Sequence, residues 1–248
     1  MSAYSESGGD GCDGLDWKIE WFDEIDSTNE YLVRLRDIER RVCIAEQQTA
    51  GRGRRGRQWG AKKYGSVLMS MGWRVSGKSW AGLSLVSGLA VLRALQHLGV
   101  KCAGLKWPND VLVEDRKICG ILVEMSAGAC VIGVGINVDL GACPDFATDR
   151  PWTDLKRLGM AIDRDQLAAA VLYYHGVMIQ KCLDDGFSGF IADWNAAHVY
   201  QNKTVNVIQA DRSFSAVAKG VDGEGALIVE VEGKRIHLTS AEVSIRPE

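Results

Sequence analysis

LKWPNDVLVEDRKICGILVEMSAGACVIGVGINV, residues 105–138, decides how the middle of this 248-residue chain folds. Three strand-like runs follow one another in it: Leu105 to Val113, interrupted by Pro108, then Ile118 to Met125, then Val131 to Val138. Apolar runs of this length bounded by turn residues read as buried strands. Pro108-Asn109-Asp110 breaks the first run and begins a turn that exposes amide and carboxylate groups. Lys117 stands just before a long apolar strand, so the sheet can hold it over a dry pocket; it equally fits an ordinary hairpin lysine. Gly133 lies within the Gly133-Val134-Gly135-Ile136-Asn137-Val138 strand. Such a glycine marks either the close approach of a ligand or backbone, or a sheet crossing that takes small residues.

Upstream, residues 1–16 are rich in Ser, Gly and Asp and read as a flexible tail. Asp26-Ser27-Thr28-Asn29-Glu30 opens a helix: Ser27 and Glu30 have capping-box spacing, and Tyr31, Leu32, Leu35 and Ile38 follow on one stripe. Val42 to Ala45 is a short strand, Val67 to Trp73 a strand covered on both sides, and residues 79–98 a helix started by Ser79. Downstream, Asp163 and Gln166 cap another helix, and a shorter one covers Phe187 to Ala197. After His198 come TVNVIQ, SFSAVAKGV, GALIVEV and RIHLT, short strands between Gly turns that indicate a small β-barrel or sandwich. The boundary falls near residues 197–203.

Between the first two strands lies Gln47-Gln48-Thr49-Ala50-Gly51-Arg52-Gly53-Arg54-Arg55-Gly56-Arg57-Gln58-Trp59. Four Arg occur within six residues, with Gly51 before them, Gly53 and Gly56 interleaved, and no acid among them. Glycines let backbone N–H groups approach an anion, and Arg forks match carboxylate and phosphate oxygens in pairs. Mutual repulsion should keep the loop mobile until an anion arrives. A solvated basic loop or a nucleic-acid contact has the same composition. The formal net charge of −3 weighs against a general nucleic-acid binder. The seven Cys never reach C-x-x-C spacing, which fits reduced thiols in the cytoplasm, and no apolar run is long enough to span a membrane. The four His show no ligand spacing with Cys or acids, so no protein-held metal is expected.

Taken together and in order, Asp-Ser-Thr-Asn-Glu (26–30), the Arg/Gly loop, Lys-Trp-Pro-Asn-Asp (106–110) with Lys117-x-x-Gly-Ile-Leu, and Gly-x-Gly-Ile-Asn (133–137) resemble the successive signatures of biotin protein ligases. The likeness runs over about residues 20–140. It implies an α+β fold: a mixed α/β catalytic domain of the biotin/lipoate ligase type over 17–198 and a small SH3-like β-barrel over 199–248. It also implies two steps: biotin and ATP, with Mg²⁺ delivered by the ATP, give biotinyl-5′-AMP. The biotinyl group then passes to a lysine of a biotin carboxyl carrier domain.

Carried over residue by residue, the resemblance implies that Ser27, Thr28, Asn29 and Gln48 hold the biotin ureido group. Arg52, Gly53 and Arg54 line the biotin carboxylate and phosphate side, and Arg55, Gly56, Arg57 and Trp59 complete the ordered loop on the ATP side. Lys117, with Arg52 a catalytic candidate, bridges the reacting carboxylate and the α-phosphate. Asn109 and Asn137 face the nucleotide, and Gly133 leaves room for the biotin tail. Too few residues precede Trp17 for the DNA-binding domain of some relatives, so no DNA partner and no membrane are expected, and a homodimer stays open. The rival within the same fold is a lipoate or octanoate ligase. A second rival is a P-loop enzyme, because Gly72-Trp73-Arg74-Val75-Ser76-Gly77-Lys78-Ser79 matches G-x-x-x-x-G-K-[ST]. No convincing strand ending in a magnesium-binding Asp accompanies that match.

Overall fold

The computed structural model describes residues 16–75, 80–126, 128–141, 151–209, 212–239 and 244–247. The expected tail up to residue 15 and the Ser76–Ser79 half of the P-loop match lie outside the described residues. The first half of that match, Gly72 to Arg74, simply ends a strand.

The long apolar stretches become a seven-stranded sheet in the order β1-β2-β3-β7-β6-β5-β4. Its strands are β1 (Lys18–Phe22), β2 (Arg41–Ala45), β3 (Ser66–Arg74), β4 (Ala103–Lys106), β5 (Asp110–Val113), β6 (Arg116–Ser126) and β7 (Ala129–Asn137). Only β1 and β2 pair in parallel; the hairpin series β4 to β7 and its pairing with β3 are antiparallel. Because side chains alternate across a strand, Val67, Met69, Met71 and Trp73 of β3 and Ile132, Val134 and Ile136 of β7 share one face. That face is covered by α2 (Leu83–His97) and α3 (Arg164–Asp185), which also pack on each other. Each large apolar side chain so buried is worth about 1.5–3 kcal/mol, and Trp73, Trp107 and Trp194 are the largest fully buried ones. The opposite face carries α1 (Thr28–Val33) over a small cluster of Leu32, Ile38, Cys43 and Val131.

Two helix readings need correction. The first helix stops at Val33, so Leu35 and Ile38 pack beyond it. Ser27 does accept from Glu30 N at 3.4 Å, but the Glu30 carboxylate pairs with Arg34 and Arg52 rather than closing the capping box. The second helix begins at Leu83, with Gly82 as its cap residue at φ 76. A Cβ on Gly82 would lie 2.8 Å from Phe187 Cβ and closer still to its ring, so only a glycine fits at this cap position. The third helix is capped as expected, with Asp163 accepting from Asp165 N at 2.9 Å and Gln166 N at 3.0 Å.

After α4 (Ile191–Ala197) the chain enters a second, five-stranded antiparallel sheet, ordered β11-β10-β9-β8-β12. Its strands are β8 (Thr204–Ile208), β9 (Ser213–Val221), β10 (Leu227–Val231), β11 (Lys234–Leu238) and β12 (Ser244–Pro247). The Trp107 indole donates to Gly225 O at 3.1 Å, which ties the turn before β5 to the β9–β10 turn of this second sheet, and His198, ahead of β8, bridges to Leu105.

Candidate active site

One cross-strand row organises the site. Lys106 on β4 faces Asp110 on β5, which faces Gly120 on β6, then Gly135 on β7, then Leu68 on β3. Two residues along, on the same face, lie Leu122, Gly133 and Ser70. Above this floor is a cavity of about 440 Å³, roofed by the Arg/Gly loop.

At one end the cavity is lined mostly by hydroxyls and amides, with the Arg52 guanidinium and the acids Glu30 and Glu124 beside them. Ser27 and the first turn of α1 bring Thr28 and Asn29 over β3 and β7. Gln48 Oε1 accepts from Thr28 N at 2.8 Å and lies 3.1 Å from Thr28 Oγ1. Ser70 Oγ sits 2.7 Å from Thr28 Oγ1 and 2.5 Å from Asn29 Oδ1. The Asn29 amide nitrogen donates to Glu124 Oε2 at 2.8 Å and to Leu122 O at 3.3 Å. A Cβ on Gly133 would lie 2.9 Å from Asn29 Cγ and nearer still to its Oδ1. The space that Gly133 leaves is therefore filled by the Asn29 carboxamide.

At the other end the groups are charged. Asp110 stands between Lys117 Nζ at 2.6 Å and Lys106 Nζ at 3.5 Å. Lys106 is only 4% exposed, and a buried ammonium of this kind needs such a carboxylate. Asn109 donates to Ile121 O at 2.8 Å and accepts from Arg54 at 3.3 Å. Burial, and then the neighbouring Arg55, push the pKa of Arg54 down, although a guanidinium stays charged at neutral pH. Asn137 donates to Thr153 O at 3.0 Å. The chain at Pro151–Thr153 runs alongside Lys117, with Lys117 N on Pro151 O and Thr153 N on Lys117 O, both at 2.9 Å. This brings Trp152 to the rim, where the Arg157 guanidinium lies 3.9 Å from its ring centroid.

The Arg/Gly loop is a tight hairpin: Arg52 bridges Gln58, Gly53 N donates to Arg57 O at 2.7 Å, and Trp59 N donates to Gly51 O at 2.9 Å. Arg52 is not uncompensated. Its guanidinium pairs with Glu30 at 2.8 Å and with Glu124, acids supplied by α1 and β6. Trp59 lies in the cavity on Gly120 and Gly135, whose Cβ positions would come within 2.6 and 2.5 Å of its ring, with Lys117 Nζ 5.2 Å from the ring centroid. The Trp59 Nε1 is buried without a hydrogen-bond partner among the described residues.

Of the residues singled out in the sequence, Ser27, Thr28, Asn29, Gln48, Arg52, Gly53, Arg54, Arg55, Arg57, Trp59, Asn109, Lys117, Gly133 and Asn137 all line this cavity. Gly56 does not; it turns the loop at φ 70. Sequence reasoning missed Ser70, Lys106, Gly120, Glu124, Gly135 and Trp152, and it expected an exposed carboxylate at Asp110, which is instead buried between two lysines. The two glycines had a usable signal, because Gly135 is two residues from Gly133 and shares its face. Ser70 had none, since a serine within an apolar strand carries no mark of its partners. Among the described residues no group of three or more His, Cys, Asp or Glu could hold a metal ion. His237 does pair with an acid, Asp222 at 2.5 Å, but on the second sheet. No helix among the described residues is long and apolar enough to cross a membrane.

Residues 21–140 match the family model of the biotin/lipoate A/B protein ligases, and residues 201–246 match that of the biotin protein ligase C-terminal domain. The fold and site thus define a protein of the biotin/lipoate ligase class. The chain is 35% identical over 231 residues to the bifunctional ligase/repressor BirA of Salmonella typhimurium, covering 90% of this chain and 72% of that protein. It is 36% identical over 215 residues to a biotin–[acetyl-CoA-carboxylase] ligase of Mycobacterium tuberculosis, covering 84% of this chain and 79% of that protein. A biotin protein ligase of Aquifex aeolicus, solved in complex with biotin and ATP, superimposes with a TM-score of 0.84 at 28% identity, over 93% of this chain and 99% of that one. Within the class, the chain belongs to the biotin protein ligase family.

Proposed function

We propose that this protein joins biotin to ATP, forming biotinyl-5′-AMP, and then transfers the biotinyl group to one lysine of a biotin carboxyl carrier domain. The observation that carries this reading is the polarity of the cavity: hydroxyls and amides at one end beside the paired Arg52, the lysines with Arg54 at the other, and glycines between. A molecule with a cyclic urea head and a carboxylate tail suits that gradient. Ser27, Thr28, Asn29 and Gln48 serve the urea, and the chain of the ligand crosses the glycine floor beside Gly133. A lipoyl ring offers no N–H or carbonyl there and would leave buried hydroxyls and amides unpaired. The match of residues 201–246 to a biotin ligase domain also favours biotin over lipoate.

In the first step the biotin carboxylate attacks the α-phosphorus of ATP, the bond to the β-phosphate oxygen breaks, and pyrophosphate leaves. Two anions must meet in that step. Lys117 stands where it can bridge both, with Arg52, Gly53, Arg54, Arg55, Gly56 and Arg57 on the loop side. Asp110 holds the Lys117 ammonium and Lys106 balances Asp110, so Lys117 is preorganised. Asn109, Asn137 and Trp59 serve the ATP, and Trp59 has to leave the glycine floor for the ligand to occupy it. Mg²⁺ comes bound to the ATP phosphates. In the second step the carrier lysine nitrogen attacks the acyl carbon, AMP leaves with the C–O bond electrons, and the nitrogen gives up its proton. A closed basic loop keeps water from the mixed anhydride meanwhile.

Residues 17–198 would form the catalytic unit and residues 199–248 an appended barrel, working in the cytoplasm where ATP and carrier are available. The test incubates the protein with labelled biotin, ATP, Mg²⁺ and a carrier domain. The expected result is ATP-dependent label on one carrier lysine with release of AMP and pyrophosphate. Label from lipoate but not from biotin would overturn the reading.

A further inference from the structure

The Arg/Gly loop is held down by acids that its own sequence lacks. Both terminal nitrogens of the Arg52 guanidinium are occupied: Nη1 lies 2.8 Å from Glu30 Oε2, and Nη2 meets Glu124 Oε1. Glu30 sits in the first turn of α1 and Glu124 near the end of β6, so two separate elements grip the one group. Glu124 works at both ends, because its other oxygen accepts from the Asn29 amide at 2.8 Å. Asn29 is fixed in turn by Ser70 and Leu122 O. This carboxylate therefore stands on a built support instead of swinging in solvent. Arg52 lies at the base of the loop hairpin, opposite Gln58, with the bond from Trp59 N to Gly51 O beside it. The tip is attached separately, where Arg54 donates to Asn109 at 3.3 Å. The roof is thus fastened once at each end of the cavity.

Two roles for Arg52 differ in their charge logic. If its guanidinium grips the ligand anion, the two carboxylates oppose it, since they neutralise the cation and repel the phosphate. Removing either acid should then tighten the hold on the ligand. If the guanidinium fastens the loop, removing either acid should loosen that hold. The geometry favours fastening, because each terminal nitrogen is committed to its own carboxylate and neither acid lines the cavity. We infer that Glu30 and Glu124 are positioning residues: with Arg52 as the pin, they latch the Arg/Gly loop over the cavity and set how long the adenylate stays there. This rests on the biotin reading above and deepens it, by assigning retention of the intermediate to two acids outside the cavity lining. The Arg52 side chain is 44% exposed and the acids 29% and 28%. Each pair should therefore change release several-fold rather than abolish activity, and salt should weaken both.

The test forms the adenylate from labelled biotin, ATP and Mg²⁺ on wild type, Glu30→Gln, Glu124→Gln and the double variant. Its release is then followed by gel filtration against time, together with label appearing on a bystander protein. Each Gln is near-isosteric, and a Gln at 124 still accepts from Asn29 through its carbonyl, so the ion pair alone is removed. Each single variant should release the adenylate about 3–20-fold faster, with its rate of formation within about 3-fold of wild type. Raising salt from about 0.05 to about 0.5 M should speed release from wild type more than from the double variant. In an Arg52→Met background the same Gln substitutions should change release by less than about 2-fold, a non-additivity that damage to the fold would not produce. If Glu124→Gln does not fold, Glu30→Gln decides alone. Release that is unchanged or slower in the folded single variants overturns the latch, as do effects that persist in full without Arg52. Wild-type protein that forms no adenylate from biotin and ATP overturns the underlying reading instead.

Discussion

Adding one methyl group at Gly133 should separate the two tasks of the glycine floor. In Gly133→Ala the new Cβ would lie 2.9 Å from Asn29 Cγ and closer to its Oδ1, whereas ordinary contact begins at 3.4 Å. The Asn29 carboxamide cannot give way freely, because Ser70, Glu124 and Leu122 O hold it at 2.5, 2.8 and 3.3 Å. Displacing it sacrifices a neutral bond of about 1 kcal/mol and weakens a charge-assisted one of about 1.5–3 kcal/mol. Overpacking alone costs typically about 1–3 kcal/mol. Partial relaxation brings the expected destabilisation to about 2–4 kcal/mol, a fall of roughly 4–16 °C in melting temperature for a chain of this size. Gly135→Ala forms the control: its Cβ would come within 2.5 Å of the Trp59 ring, which sits on a loop and can move away. Its melting temperature should stay within about 2 °C, with altered biotin and ATP binding by calorimetry. Equal stability of Gly133→Ala and wild type, with unchanged biotin affinity, would refute the claim that Gly133 exists to seat Asn29.

Other outcomes follow from the same geometry. Lys117→Ala should lower turnover on the order of 10²–10³-fold, as when a preorganised charge-stabilising donor is lost, while Lys78→Ala keeps nearly full activity; the reverse pattern would revive the P-loop reading. Arg52→Gly should still form biotinyl-AMP but release it early, so that mass spectrometry finds label on bystander lysines; tight retention of the adenylate would make Arg52 a surface charge only. Amide hydrogen exchange at residues 51–58 should slow when biotin and ATP are added, and equal protection in both states would remove the lid role. Burial pushes the pKa of His175 down to about 4 from its ordinary 6.5. The unfolded chain therefore binds a proton that the folded one rejects between those values. The stabilising contribution is complete above pH 6.5 and is lost as pH falls toward 4, at most about 3 kcal/mol. Urea unfolding at pH 7 and 4.5 should show a smaller acid loss in His175→Gln than in wild type; equal losses would exonerate His175.

What the sequence determined by itself is local and periodic. The apolar runs of residues 105–138 became β4 to β7, Asp163 capped α3 as its spacing required, and the short runs after His198 became a separate antiparallel sheet. The order of its motifs was enough to indicate the family, and most of the residues so marked do converge on one cavity. The remainder depends on pairs far apart in the chain. The four loop arginines have no acid near them in sequence, yet Arg52 meets Glu30 and Glu124, which lie on different elements. Gly133 looked like room for a ligand, and its space belongs to Asn29, 104 positions away in sequence by the difference of their numbers. Lys106 gave no sign of burial until the hairpin set Asp110 opposite it. The physical reason is the same in each case. Periodicity records which face a residue takes on its own element, whereas a buried charge or hydroxyl takes its meaning from partners that strand register brings within about 3 Å.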